Sequence, residues 1–314
     1  MNIAAGLGIS RNSMGTIPDS LDGIVLYYDF TNFATLRQDR DGTGMVSSNN
    51  DPVEWVQNIA SGDANGILGS FARSHAAGAA YGGIFKTGGA NGQSYVQFDD
   101  DGTETERGLR AGFISTDATD DGGVAADKFS DVTLDADNYT ILTVLKHDDP
   151  AVEEDDYAMF INAYPTGYPT SDCQIAIGKA ESTEKLYSSY VFIAGGIDFE
   201  STVTNNTLDS NVHAFLTVSG SGTNERKLYE DGTAQTDTDT ADNRTFNFDR
   251  STGATTAANG AAIVGVGARL LSGGVTKSWH GGIYEVIIWS RALSDSEIAS
   301  LEVYLAGKYG ITFS

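Results

Sequence analysis

The sequence predicts an all-β fold, a sandwich or barrel, with one short helix at its C-terminal end. Three observations predict it. Glycine is abundant and proline scarce, 37 against 5, a balance that suits many strands joined by tight turns. Short apolar or alternating runs recur along the chain, with Gly- and Asp-rich turn signals between them. A single helical pattern, capped at both ends, stands near the C-terminus.

Residues 1–20 are small, polar and Gly-rich, with Pro18 near their end. They read as an arm that orders against a partner, and residues 21–314 read as the sandwich. In Ile24–Phe30, alternation places Ile24, Leu26, Tyr28 and Phe30 on one face. Pro52–Val56 is a second short apolar piece, and Ser94–Phe98 alternates. Tyr139–Leu145 is apolar on both faces, which marks a central strand. Further runs lie at Tyr157–Ile161, Gln174–Ile177, Tyr190–Ile193, His213–Val218, Lys227–Tyr229, Ala262–Val266 and Ile283–Trp289. Turn signals include Asp101-Gly102, Asp231-Gly232 and Ser272-Gly273-Gly274. The polar stretch 233–243 reads as a loop.

The helix begins at Ser294-Asp295-Ser296-Glu297, a capping box in which hydroxyl and carboxylate satisfy reciprocal free N–H groups. Ile298, Leu301 and Leu305 follow at helical spacing, so one stripe faces a sheet. Lys308 stands in the last turn, where a cation complements the dipole, and Gly310 suits the C-terminal cap.

Charge narrows the partners. There are 19 Lys+Arg against 43 Asp+Glu, a net charge of −24. Such a surface repels phosphate backbones and anionic membranes, so neither nucleic acid nor membrane insertion is expected. A solvated acidic surface is the plain explanation of the excess. The first residues, MNIAAGLGISRNSMG, carry no basic segment followed by an apolar one, so no signal peptide is expected. The lone Cys173 allows no intrachain disulfide.

No catalytic constellation is expected. Gly196-Ile197-Asp198-Phe199-Glu200 approaches the alternating carboxylate pattern of a glycosidase strand, but Gly196 stands where the first acid is needed. It reads as a strand end followed by a polar loop. His75, His147, His213 and His280 form no metal-binding spacing. Calcium is the cofactor the residues best suit, because Asp99-Asp100-Asp101-Gly102 packs carboxylates into one turn; Asp99 and Asp101 are the candidate ligands. A sugar platform needs an aromatic ring beside polar groups. Trp279, Tyr164 and Tyr168 stand next to Gly or Pro in loop-like contexts and are the candidates, whereas Trp55 and Trp289 lie in apolar strands and read as core.

Five segments, in order, resemble the laminin-G-like/concanavalin A-like superfamily: DGIVLYYDF at 22–30, NGQSYVQFDDDGTETERGLRAG at 91–112, NYTILTVLKHDD at 138–149, the pair VHAFLTVSGSG and KLYEDGTA within 212–234, and the closing WHGGIYEVIIWSRALSDSEIASLEVYLAGKYGI at 279–311. The resemblance implies a two-sheet antiparallel jelly-roll sandwich, often with calcium or sugar at one rim or on the concave face. VEWVQN at 53–58, the NGQSYVQFDD segment and the ending LAGKYGI also resemble such domains in bacteriophage virion structural proteins. That resemblance implies a non-enzymatic capsid decoration or fibre-type subunit, homo-oligomeric, docked on other virion proteins through residues 1–20. Two alternatives stand beside it: a carbohydrate-binding adhesin of a phage or bacterial surface, with cell-surface glycans as partners, and a glycoside hydrolase.

Overall fold

A computed structural model describes residues 17, 21–39, 42–60, 71–74, 82–98, 108–112, 138–149, 156–163, 173–179, 185–193, 197–203, 207–219, 226–235, 263–271 and 274–314. The strands run in chain order as follows. The first seven are β1 (Ile24–Asp29), β2 (Leu36–Arg37), β3 (Pro52–Val53), β4 (Trp55–Gln57), β5 (Phe71–Ser74), β6 (Gly83–Lys86) and β7 (Tyr95–Phe98). The next seven are β8 (Leu109–Gly112), β9 (Tyr139–His147), β10 (Asp156–Ala163), β11 (Cys173–Lys179), β12 (Leu186–Ile193), β13 (Ile197–Val203) and β14 (His213–Ser219). The last six are β15 (Arg226–Glu230), β16 (Thr233–Ala234), β17 (Ile263–Val266), β18 (Ala268–Leu271), β19 (Gly274–Ser278) and β20 (Gly281–Trp289). Helix α1 (Asp295–Tyr309) follows.

Among the described residues eighteen of the strands form two antiparallel sheets, as the sequence predicts, and β18 and β19 pair separately as an antiparallel hairpin. The first has the order β16-β15-β14-β9-β20-β7-β6-β3, with β1 beside the second half of β20. The second has the order β13-β12-β11-β10-β17-β8-β5-β4-β2. One buried cluster joins Leu26, Val96 and Leu145 of the first sheet to Val56, Met159 and Ile175 of the second, which makes a sandwich of jelly-roll type. A second cluster lies on the other face of the first sheet, where Leu142, Val144, Leu216 and Ile287 meet Ile298, Leu301 and Leu305 of α1. The first sheet is therefore covered on both faces. That is why β9 and β20 read as continuous apolar runs rather than alternating ones.

Local chemistry explains the joints. Asp231 and Gly232 take positive φ, 49° and 79°, in the two-residue turn between β15 and β16, the geometry an Asp-Gly pair supplies. Thr233–Ala234 is thus a short strand rather than part of the expected loop. At the head of α1, the Glu297 carboxylate accepts from the Ser294 amide and hydroxyl, both at 2.8 Å. Gly310 closes the other end at φ 73°.

Three expectations change. Leu26, Tyr28 and Phe30 share the inter-sheet core, but a bulge between Ile24 and Leu26 turns Ile24 to the helix side. Pro52–Val56 is not one strand, since β3 belongs to the first sheet and β4 to the second, with the chain crossing at buried Glu54. Pro52 is tolerated because β3 is an edge strand. Asp198 and Glu200 lie inside β13, a full strand at the edge of the second sheet, rather than at a strand end. Among the described residues no helix is long and apolar enough to cross a membrane.

Candidate functional site

The site is built by strand alternation at one end of the first sheet. Val96 and Phe98 of β7 point into the inter-sheet core, so Tyr95 and Gln97 share the opposite, helix-side face. On β9, Leu142 and Val144 lie in the helix-side cluster, and Lys146 and Asp148 continue that face past the end of the strand. Between these strands runs β20, whose Gly282 stands opposite both Gln97 and Lys146. A Cβ on Gly282 would sit 2.6 Å from the Tyr95 ring and 3.0 Å from Lys146 Cε. The missing side chain lets the ring and the lysine stem settle against the sheet.

The polar groups interlock. Lys146 Nζ lies 2.9 Å from Asp148 Oδ1 and 4.6 Å from the centroid of the Tyr95 ring, a cation–π distance. Gln97 Nε2 donates to Asp148 Oδ2 at 2.5 Å. Partial burial works to lower the Lys146 pKa, but hydrogen bonds to Asp148 and Tyr95 and the Asp148 charge outweigh it and leave it raised. The side chains remain open to solvent, 20% for Lys146 and 36% for Asp148. An acceptor pair, a mobile donor and an aromatic wall on rigid strands can hold a polyhydroxylated molecule without chemistry on it.

Trp279 lies directly behind this patch, and here the structure corrects the sequence reading. It is 0% exposed, its indole N–H donates to Lys146 O at 2.9 Å, and His147 meets it edge-on at 4.9 Å. A buried ring offers no face to a sugar; its work is to anchor the end of β9. Its neighbouring Gly281 and Gly282 are strand residues, so proximity to glycine did not signal a loop. Trp55, expected in the core, is half-buried with the Arg37 guanidinium 5.3 Å from its ring, while Trp289 is buried as expected. Tyr164, Tyr168, Asp99 and Asp101 lie outside the described residues. The structure also brings together His147 and His280, 5.7 Å apart between ring centroids, by pairing β9 with β20 rather than by any sequence spacing.

Two other charged groups stand apart from the patch. Beneath α1, Lys308 Nζ reaches Glu285 Oε1 at 2.5 Å and both Asp29 oxygens at 3.3 Å. Glu285 Oε1 also accepts from Tyr304 at 2.6 Å and Tyr27 at 2.8 Å, and burial followed by the Glu285 charge pushes both phenols well up. Lys308 stands in the last turn of the helix, as expected, and its ammonium is also drawn inward to these carboxylates. At the head of β14, His213 Nδ1 lies 2.8 Å from Asp231 and Nε2 3.1 Å from Asp209, with Glu230 3.7 Å away. Burial opposes its charge, but the hydrogen bond and charge of Asp231, with Asp209 and Glu230 behind, raise its pKa to about 8. Among the described residues no group of three or more His, Cys, Asp or Glu side chains is arranged to hold a metal ion.

No family model and no curated protein matches the chain. Among solved structures, the IT-sialidase CBM40 of Ruminococcus gnavus bound to alpha2,3 sialyllactose is 12% identical. The match covers 53% of this chain and 82% of that one, at TM-score 0.38. The Trypanosoma rangeli sialidase in complex with sialic acid is 11% identical over 93% of this chain, at TM-score 0.42. The chain spans 34% of that enzyme's length.

Proposed function

We propose that this chain is a non-enzymatic carbohydrate-binding sandwich whose binding patch is Tyr95, Gln97, Lys146 and Asp148. One observation carries the reading: a solvent-facing carboxylate and ammonium, the carboxylate held from behind by the buried Gln97 amide, stand beside an aromatic ring on hydrogen-bonded strands. Sugars present C–H faces and hydroxyls, and a ring with fixed donors and acceptors matches both. Binding is favoured over catalysis because Asp148 is held by neighbours on each of its oxygens, which suits an acceptor rather than a proton shuttle. Glycan-array screening and calorimetry on the full chain test it. At least one glycan should bind, and Tyr95→Ala or Lys146→Ala should weaken that binding about tenfold. Binding that both variants leave unchanged would overturn the placement.

A virion setting is the second reading, and it rests on the phage-like sequence segments and the acidic surface. In it, residues 1–20 dock copies of the sandwich on a particle. Deleting residues 1–20 should then abolish incorporation into particles while leaving the circular dichroism of the sandwich intact. Unchanged incorporation would defeat it.

A further inference from the structure

We infer that the ligand of the Tyr95–Lys146–Asp148 patch is an uncharged pyranose, gripped through two neighbouring hydroxyls by Asp148. This rests on the carbohydrate-binding reading and names the class of sugar. Asp148 gives one lone-pair direction of Oδ1 to Lys146 and one of Oδ2 to Gln97. Each carboxylate oxygen can accept more than one hydrogen bond, so both oxygens keep an acceptor direction, and the side chain is 36% exposed. Two hydroxyls on adjacent carbons can donate to the two oxygens at once. Lys146 has three donors and spends one on Asp148 and one on Tyr95, which leaves one for the oxygen of a bound hydroxyl.

An acidic sugar fits this arrangement worse. The Lys146 ammonium already lies 2.9 Å from one carboxylate, and a second carboxylate brought to it would also meet Asp148 at close range. The chain as a whole carries −24, a field that opposes anionic ligands within a Debye length of about 8–10 Å.

Gly282 is the positioning residue. The Tyr95 ring and Lys146 stem occupy the space its side chain would need, so Gly282→Ala displaces both groups from the sheet without removing any polar group.

Calorimetric titration of the full chain separates the possibilities. The probes are methyl glucoside, galactoside and mannoside, their single-deoxy analogues, and glucuronate, each at low salt and at high salt. A neutral methyl pyranoside should bind, with less than about a twofold change between the salts. Removing one hydroxyl of the gripped pair, or Asp148→Asn, should cost about tenfold or more in affinity. Gly282→Ala should lower affinity, and the near-isosteric Asp148→Asn keeps the test valid if that variant folds poorly. Preferential binding of glucuronate, weakening with salt and lost in Asp148→Asn, would overturn the sugar class and leave the patch standing. Neutral-sugar binding that ignores both variants would overturn the patch. No binding to any of these probes would overturn both.

Discussion

Two lysines meet carboxylates on the same face of the same sheet, and the helix separates their roles. Lys308 lies under α1 with its side chain 2% exposed, held by Asp29 and Glu285. Lys146 lies beyond the helix, 20% exposed, held by Asp148. The ionic partners are alike, but the surroundings differ. Where water is excluded, two carboxylates and one cation must satisfy each other, and loss of a partner strands a charge in low dielectric. Where water reaches the pair, its mutual attraction is screened and its hydrogen-bonding capacity is left for a ligand. Covering a sheet decides whether a charged pair is sealed from water or keeps hydrogen-bonding capacity at the surface.

The comparison can be broken most forcefully at Lys308. Lys308→Met should destabilise the fold by about 3–5 kcal/mol, read as a fall in the urea midpoint. A loss under about 1 kcal/mol would mean that the carboxylates there tolerate burial alone.

His213, 12% exposed on its side chain, falls between the two lysines. Its pKa is raised from 6.5 to about 8. Stability from its charged form should be fully present below pH 6.5 and lost as pH rises through about 8, an effect of about 2 kcal/mol. Urea denaturation from pH 6 to 9 should show that decline, and His213→Gln should flatten it.

A smaller effect belongs to Glu297. Two Arg291 nitrogens, at 2.6 and 3.0 Å, together with Ser294 hold its pKa down to about 2. Its contribution should be present above pH 4.5 and vanish as pH falls through about 2. At neutral pH, Glu297→Gln should cost about 1 kcal/mol of thermal stability through the weakened helix start.

Smallest in stability is Lys146→Met, at about 0.5 kcal/mol or less, with sugar binding weakened about tenfold nonetheless. A stability loss matching that of Lys308→Met would erase the distinction between the two sites.

The sandwich was legible because burial leaves a direct mark on residue type. Tyr139–Leu145 has no polar face, and β9 proves to be an interior strand between β14 and β20. The C-terminal capping box and Gly310 likewise announce a helix whose ends must satisfy their own backbone groups. The proposed binding patch was not legible. Its members come from β7, β9 and β20, distant in sequence, and meet only through register. A hint existed in Gly281-Gly282 at the head of a strand that is otherwise bulky, since paired glycines within a strand often mark a close approach. Trp279 misled for the opposite reason, because its loop-like neighbours belong to the sheet. Lys308 stands in the last turn as read, but the carboxylates beneath it were not legible because they come from β1 and β20, far away in the chain.

The crossing at Glu54 carries a mechanical consequence. Pro52–Val53 ends one sheet through β6, and Trp55–Gln57 lies near the margin of the other, between β2 and β5. A link of one residue thus ties the borders of the two layers. Fraying at either border pulls on the other, so the seam should open as one unit under force or protease attack rather than peel strand by strand.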